Sequence, residues 1–279
     1  MADFRADHEI VTKFLLSTCR LRQRLNRNAV LAFFPCAVAA GVHVSSDNED
    51  TDCIPVITGS VAEFYIEPML SCVGDEDIMF HRSDEIAIPA GTAPPTQLPD
   101  EFDSHVMVLE IVDSEYPGYV YLVSSCLLTE CIGDSKYHVV ERQHQPMCAG
   151  YINGNNKRGP ATVLVWPSIP LYGRLAGSPY STDDVFCYRC LSWPTQAADW
   201  PTRHRNYGWL DSATVDRVVS NGCDLVRVAH RQCRRDECMR HTQHRLTFSR
   251  ANIVLLNSWI PVQQIVCHML RVFVKTEHY

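Results

Sequence analysis

The chain has 279 residues, 46% of them hydrophobic, which is enough apolar material to bury a large core in one domain or two joined lobes. Its formal net charge of -7 argues against nucleic-acid binding over the whole surface, although a local basic segment lies between residues 227 and 250. Thirteen cysteines without a framework spacing indicate reduced thiols and a location in the cytosol or the nucleus.

The N-terminal half predicts one helix followed by a sheet. Apolar residues at helical spacing predict a helix over residues 6–34, and no stretch is long enough to predict a membrane span. Short β-branched and aromatic runs, bounded by Gly, Pro and Asp, then predict a strongly twisted, mostly antiparallel sheet. These runs are CIPVITGS, DIMF, EIAIP, HVMVLEIV and GYVYLVSSCLL. EYPGYV predicts a hairpin turn, and the Pro-rich residues 89–104 predict a loop.

The C-terminal half has a different character. Residues 193–222 are rich in tryptophan and predict helices, and the segment from His244 onward predicts a strand followed by two helices. Ser249 is suited to the N-cap of the first of these helices and Pro261 to the first turn of the second. Together the two halves predict an α/β (α+β) fold, with a twisted sheet flanked by helices.

An acidic run separates two of the predicted strands. Side chains alternate along a strand, so Asp75 and Asp77 are expected on one face and Glu76 on the other. Two converging carboxylates repel each other, and a divalent cation such as Mg²⁺ relieves this repulsion. Upstream, Gly59 and Ser60 follow a strand, where free backbone N–H groups and a hydroxyl can hold a triphosphate. The pattern predicts phosphoryl or nucleotidyl transfer, although each motif alone is also common in acidic turns and loops.

A third carboxylate is expected from the segment STDDVFCYRC. Asp183 and Asp184 are neighbours on a predicted strand and should therefore face opposite sides. Only one of the two can join the predicted metal site.

Four segments, GSVAE…GDEDIMF, TDDVFCYRCLSWPTQAADW, RLTFSRANIVLLNSW and PVQQIVCHMLRVFVK, carry a family resemblance. In this order they resemble the Mab-twenty-one domain family of nucleotidyltransferases, which includes the cyclic GMP-AMP synthase-like receptors. The resemblance implies a bilobed nucleotidyltransferase fold, with a core over residues 1–190 and a partial helical lobe over residues 191–279. It further implies two Mg²⁺ (or Mn²⁺) ions held by three carboxylates.

The same resemblance implies roles for individual residues. Gly59 and Ser60 resemble the triphosphate loop, and the carboxylates that hold the metals and carry the catalysis would be Asp75, Asp77 and Asp184. In the segment HRLTFS, the family's nucleotide-contacting Arg-x-Ser-x-Ser corresponds to Arg245, Thr247 and Ser249, with Thr at the middle position. Asp75 also departs from the Glu that is usual at the first carboxylate.

The implied activity is synthesis of a cyclic dinucleotide from ATP and GTP when a ligand such as double-stranded RNA is bound, as part of innate immune signalling. The family's zinc-binding thumb has no counterpart between Ser249 and Pro261, so DNA sensing by that element is not implied. In relatives a further helical lobe follows the segment that here ends at Tyr279, and we expect inefficient turnover without it. No membrane partner is expected.

Three questions remain open on the sequence. A non-catalytic protein of the same fold, acting as a binding scaffold, is the alternative to the enzyme, because a fold does not guarantee its chemistry. Cys233, Cys238, His241 and His244 could form a zinc site or belong to a solvated basic loop, and their spacing is tighter than in common zinc modules. The arginines between residues 227 and 240 are either a nucleic-acid footprint or part of that same loop.

Overall fold

The computed structural model describes four long segments, residues 76–131, 180–205, 210–233 and 243–260. It also describes residues 13, 20–21, 53–58, 66–67, 133, 135–146, 157–158, 161–166, 262–267 and 269–270. All structural statements below refer to these residues.

Most of the described chain is β-structure. The strands are β1 Arg20–Leu21, β2 Cys53–Thr58, β3 Ile66–Glu67, β4 Glu76–Arg82, β5 Glu85–Pro89, β6 His105–Asp113, β7 Tyr119–Cys131, β8 Lys136–Pro146, β9 Lys157–Arg158, β10 Ala161–Trp166, β11 Tyr180–Cys190, β12 Cys223–Arg227 and β13 Gln243–Thr247. The helices are α1 Ser212–Ser220 and α2 Ser249–Asn257, with a 3-10 turn at Thr195–Ala197. Residues 262–267 are also helical.

Part of the 11-stranded sheet closes on itself. Its pairings run in the order β5, β6, β7, β13, β12, β11 and return to β5, and we call these strands the ring. The last pairing is parallel and joins Cys190 to Ala87. Because the ring is closed, each of its strands is paired with a neighbour on both edges over at least part of its length.

The interior of the ring is apolar because every second residue of its strands points inward. Each strand of the ring contributes to this core. The inward-facing residues are Ala87, Leu109, Ile111, Val120, Leu122, Cys190, Cys223, Leu225 and Leu246. Burial of each large aliphatic side chain stabilises the fold by about 1.5–3 kcal/mol. The opposite side of the same strands is called the outer face below.

The first half of β11 belongs to a second group of strands. It pairs in parallel with β4 and antiparallel with β10, and β2 pairs with β4. On the outer face Met79, Cys187 and Val226 form a small buried cluster, against which Val56 and Val185 pack. Helix α2 packs against α1, β12 and β2, so it covers part of this outer face.

The structure confirms the mixed α/β class and the predicted strands β2, β4, β5, β6 and β7. It also confirms the turn between β6 and β7, where Gly118 adopts φ 79°. Most pairings are antiparallel as predicted; the parallel exceptions join β5 to β6 and β11 to β4 and β5. Strands β8, β10 and β12 were not predicted.

Several predictions of helices were wrong in detail. Arg20 and Leu21 pair with β3, which is incompatible with one continuous helix over residues 6–34; long-range pairing outweighs their helix propensity there. Residues 198–202 are turns and residues 203–205 have no regular secondary structure, so this part is not helical. Phe248, not Ser249, is the N-cap of α2, and the Ser249 hydroxyl instead contacts the Thr247 hydroxyl at 3.1 Å.

The boundary predicted at residue 190, between the core and the helical lobe, does not coincide with an edge of the sheet. Strands β12 and β13 lie after it in sequence, yet β12 pairs with β11 and β13 pairs with β7. The chain beyond residue 190 therefore completes the ring.

Gly222 is required where the chain turns into β12. Its φ is 60°, and an added Cβ would lie 2.1 Å from the Cys190 carbonyl oxygen. We expect Gly222→Ala to lower the free energy of unfolding by roughly 3 kcal/mol or more, because strain and overlap combine. Gly118→Ala is the matched control: φ is 79° but nothing lies within 4 Å, so only about 1–2 kcal/mol should be lost. Equal losses in urea titrations would contradict this account.

Candidate functional site

Asp77 and one of the two later aspartates lie side by side on the outer face. Asp77 on β4 is the register partner of Asp183 on β11, in a parallel pairing. Directly paired residues on adjacent strands point to the same side of a sheet. Both side chains are only partly buried, so a ligand can reach them from solvent.

Asp184 lies on the opposite face of the sheet. Its register partners are Ile78 on β4 and Thr162 on β10, and its side chain is buried. The next pair on this side, Phe80 and Phe186, brings its rings to 5.7 Å. Neighbouring aspartates do face opposite sides, as predicted, but the register favours Asp183 over Asp184 as the partner of Asp77.

Three of the residues implied by the resemblance, Gly59, Ser60 and Asp75, lie outside the described residues. The residue that precedes Gly59 is described, however. Thr58 is the antiparallel partner of Asp77, and its buried hydroxyl donates a hydrogen bond of 3.2 Å to the Asp77 carbonyl oxygen. The end of β2 is thereby fixed next to Asp77.

Arg245 and Thr247 share the outer face with the aspartate pair. Arg245 pairs with Val226, and Val226 pairs with Cys187, which is four residues after Asp183 on the same side of β11. Four residues span about 13 Å along a strand, and two strand spacings add about 10 Å across the sheet. Arg245 is exposed, so the outer face offers two carboxylates at one end and an exposed guanidinium further along.

A buried cluster of charges lies beside Thr247. Asp224, the register partner of Thr247, accepts hydrogen bonds from Arg250 Nε at 3.0 and 3.3 Å and has Arg189 Nη1 at 3.8 Å. Asp224 is 1% exposed. These contacts hold the first turn of α2 against β12 and β11. They therefore help to fix the positions of Ser249 and Thr247.

This cluster carries more positive than negative charge. Arg189 also donates to the carbonyl oxygens of Cys190, Cys223 and Asn221, which satisfies its guanidinium without adding an anion. Burial, followed by the nearby Arg250, lowers the pKa of Arg189. Among the described residues, no acceptor lies within hydrogen-bond distance of the buried Arg250 Nη2. The end of β13 and the first turn of α2 therefore bring together the hydroxyls of Thr247 and Ser249, and Arg250 follows in the same turn, an arrangement suited to an anion.

The inner side of the ring holds a titratable residue, Glu85, that the sequence did not indicate as a candidate. Glu85 pairs with Met107 and lies two residues before the inward-facing Ala87. Burial raises its pKa from 4.5 to about 7, with Arg82 opposing and Asp84 adding to the rise. Burial, then the charge of Glu85, raises the pKa of Tyr188. Glu85 and Tyr188 face the core and are separated by the sheet from Asp77.

Two of the four residues of the alternative zinc site lie among the described residues. Cys233 and His244 are buried, and His244 makes an edge contact with the Tyr188 ring at 5.2 Å between centroids. Cys238 and His241 lie outside the described residues. Within the described segments no group of three or more Cys, His, Asp or Glu residues is arranged to hold a metal ion. Of the three predicted metal ligands, Asp77 is the register partner of Asp183, Asp184 lies on the other face, and Asp75 lies outside the described residues.

Comparison with known proteins gives no family assignment. The chain matches no family model, and no curated protein matches it. Among the described helices, none is long and apolar enough to cross a membrane.

The charge cluster around Asp224 provides a first test of the site. We expect Asp224→Asn to lower the free energy of unfolding by about 3–5 kcal/mol, because two buried guanidinium groups lose their shared carboxylate. Asp199→Asn is the matched control, since Asp199 pairs with Arg203 at 2.8 Å on the surface and such pairs contribute less than about 1 kcal/mol. Urea titration of both variants measures the difference, and similar losses would show that the cluster is not buried as described.

Glu85 provides a second test, through pH. A carboxyl whose pKa is higher in the folded protein favours folding when protonated, so this stabilisation is complete below pH 4.5 and disappears as pH rises to about 7. At pH 8 we expect Glu85→Gln to have a higher free energy of unfolding than the unmodified protein. The difference between the two proteins should be about 2–3 kcal/mol larger at pH 8 than at pH 5.

The control for this test is Glu141→Gln, which changes an exposed glutamate on β8. Its effect on unfolding should be small and equal at both pH values. A pH-independent difference for Glu85→Gln would contradict the raised pKa.

Proposed function

We propose that the chain is a metal-dependent nucleotidyltransferase whose site lies on the outer face. The observation that carries the proposal is the register of β4 with β11, which pairs Asp77 with Asp183 on a solvent-accessible part of that face. Mg²⁺ is typically bound by one or two carboxylates, with water and substrate phosphates completing its shell. Two adjacent, partly exposed aspartates fit this donor set.

The remainder of the outer face supports a nucleotide as the ligand. Arg245 is exposed beyond the carboxylates, and the hydroxyls of Thr247 and Ser249 lie together at the start of α2. A nucleoside triphosphate presents phosphates to a metal at one end and a base and sugar to polar side chains at the other. The separation of about 16 Å between Asp183 and Arg245, from strand spacings, is comparable with the length of such a molecule.

A metal bound at this site would supply neutralisation of phosphate charge and would favour ionisation of the attacking hydroxyl. Asp77 and Asp183 hold it, and Asp75 is the expected third ligand. We assign to Asp183 the acceptance of the proton from the attacking ribose hydroxyl. The hydroxyl oxygen then bonds to the α-phosphorus, and the bond to pyrophosphate breaks. Thr58 restricts movement of β2 beside Asp77 and so preserves the spacing on which the transfer depends.

The substrates and the product are proposed from the resemblance to the Mab-twenty-one domain family. ATP and GTP are the proposed substrates, a cyclic dinucleotide is the proposed product, and double-stranded RNA is the proposed activating ligand. The register modifies the implied ligand set in one respect, because it favours Asp183 in the position that the resemblance gives to Asp184.

The decisive test compares three single substitutions. Asp77→Asn and Asp183→Asn should each weaken Mn²⁺-dependent binding of a non-hydrolysable ATP analogue at least about tenfold, which corresponds to about 1.4 kcal/mol. Asp184→Asn should leave this binding within about threefold, because its side chain is on the other face. Calorimetric titration measures affinity, and thermal unfolding of each variant checks that it is folded.

Turnover is measured separately. Radiolabelled ATP and GTP are incubated with Mg²⁺, with and without double-stranded RNA, and the products are separated by chromatography. A cyclic dinucleotide that disappears in Asp77→Asn supports the enzyme. Binding of nucleotide without any product would instead favour the scaffold, and loss of binding only in Asp184→Asn would show that the register-based site is wrong.

A further inference from the structure

Two cysteines meet where the ring closes. Cys190 is the last residue of β11 and Cys223 is the first residue of β12, and the two are register partners in an antiparallel pairing. Both side chains point into the core of the ring and are essentially inaccessible to solvent. Neither is part of the outer-face site described above.

The two thiols extend from directly paired positions into the same core. Both are free thiols, and the Cys190 thiol donates a hydrogen bond of 3.3 Å to the Ser192 carbonyl oxygen. Paired residues in antiparallel strands have Cα atoms about 4.5–5.5 Å apart, which lies inside the range of about 4.4–6.8 Å found in disulfides. A bond between these sulfurs therefore requires little movement of either strand.

The two thiols differ in reactivity. The neighbouring Cys223 thiol lowers the pKa of Cys190, while Cys190 and burial raise the pKa of Cys223. Cys190 is thus the better nucleophile and Cys223 the resolving thiol. Both residues are at strand ends, where local opening costs less free energy than in the middle of a sheet, so a small oxidant can reach them without global unfolding.

We propose that Cys190 and Cys223 form an oxidation site, at which a hydroperoxide converts the two thiols to a disulfide between β11 and β12. The disulfide would link β11 covalently to β12 at one corner of the ring. At this corner Cys190 also pairs with Ala87 of β5. The proposal does not depend on the nucleotidyltransferase function.

The chemistry balances in two steps. The Cys190 thiolate attacks one peroxide oxygen, the O–O bond breaks, and the sulfur becomes a sulfenic acid while the other oxygen leaves as water after protonation. The Cys223 sulfur then attacks the Cys190 sulfur, the S–O bond breaks, the S–S bond forms, and a second water leaves. The two thiols lose two electrons and two protons in total, and one hydrogen peroxide is reduced to two waters.

The experiment uses the full chain under native conditions. The protein is incubated with hydrogen peroxide at pH 7.5, its remaining thiols are alkylated in denaturant, and tryptic peptides are analysed by mass spectrometry without reduction. We expect a cross-linked pair of peptides that contain Cys190 and Cys223, and we expect dithiothreitol to remove it. The oxidised chain should also unfold at a higher urea concentration than the reduced chain.

Two variants make the test specific. In Cys223→Ser the cross-link and the shift in urea midpoint should disappear, and dimedone should trap the sulfenic acid on Cys190. In Cys126→Ser, which removes another buried cysteine of the ring strands, both should persist. Recovery of Cys190 and Cys223 as alkylated thiols from peroxide-treated native protein, or cross-linking of either to other cysteines at comparable yield, would overturn the proposal.

Discussion

The structure depends on one strand that takes part in two groups of strands. The first half of β11 pairs with β4 and β10, and its second half pairs with β12 and with β5. Because side chains alternate along it without interruption, β11 fixes which residues of both groups share a face. A slip of one residue against β4 would exchange Asp183 for Asp184 beside Asp77 and would also move Val185 and Cys187 out of the outer-face cluster.

The same constraint separates two kinds of chemistry. The outer face combines partly exposed carboxylates with an exposed arginine. The buried Arg189 and Asp224, together with the partly buried Arg250, anchor α2 on that face. The inner face carries the apolar core, beside which Glu85 has a raised pKa and the paired thiols meet at one corner. The partly exposed carboxylates of the outer face are thus kept apart from the carboxyl and the thiols of the core.

Sequence patterns were sufficient for the strands that alternate clearly or carry β-branched runs, such as EIAIP and HVMVLEIV. They also predicted that the side chains of Asp183 and Asp184 point to opposite sides of the sheet. They could not decide between the two, because the choice is set by the pairing of β11 with β4, some hundred residues earlier in the chain. Strand β12 was missed because CDLVR is short and carries charge, yet Asp224 between buried neighbours was a signal of an internal ion pair.

Closure of the ring has a consequence for how the chain acquires its structure. Strand β7 pairs with β13, and the Gln243 side chain donates to the Tyr121 hydroxyl across a separation of 122 residues. Contacts this distant in sequence form late, because the entropy of closing a long loop must be overcome before they stabilise anything. During synthesis, β5, β6 and β7 emerge long before β13, so their inward-facing leucines and valines remain uncovered for that interval. Nascent chains of this protein are therefore expected to need protection by chaperones until the last strand of the ring is made.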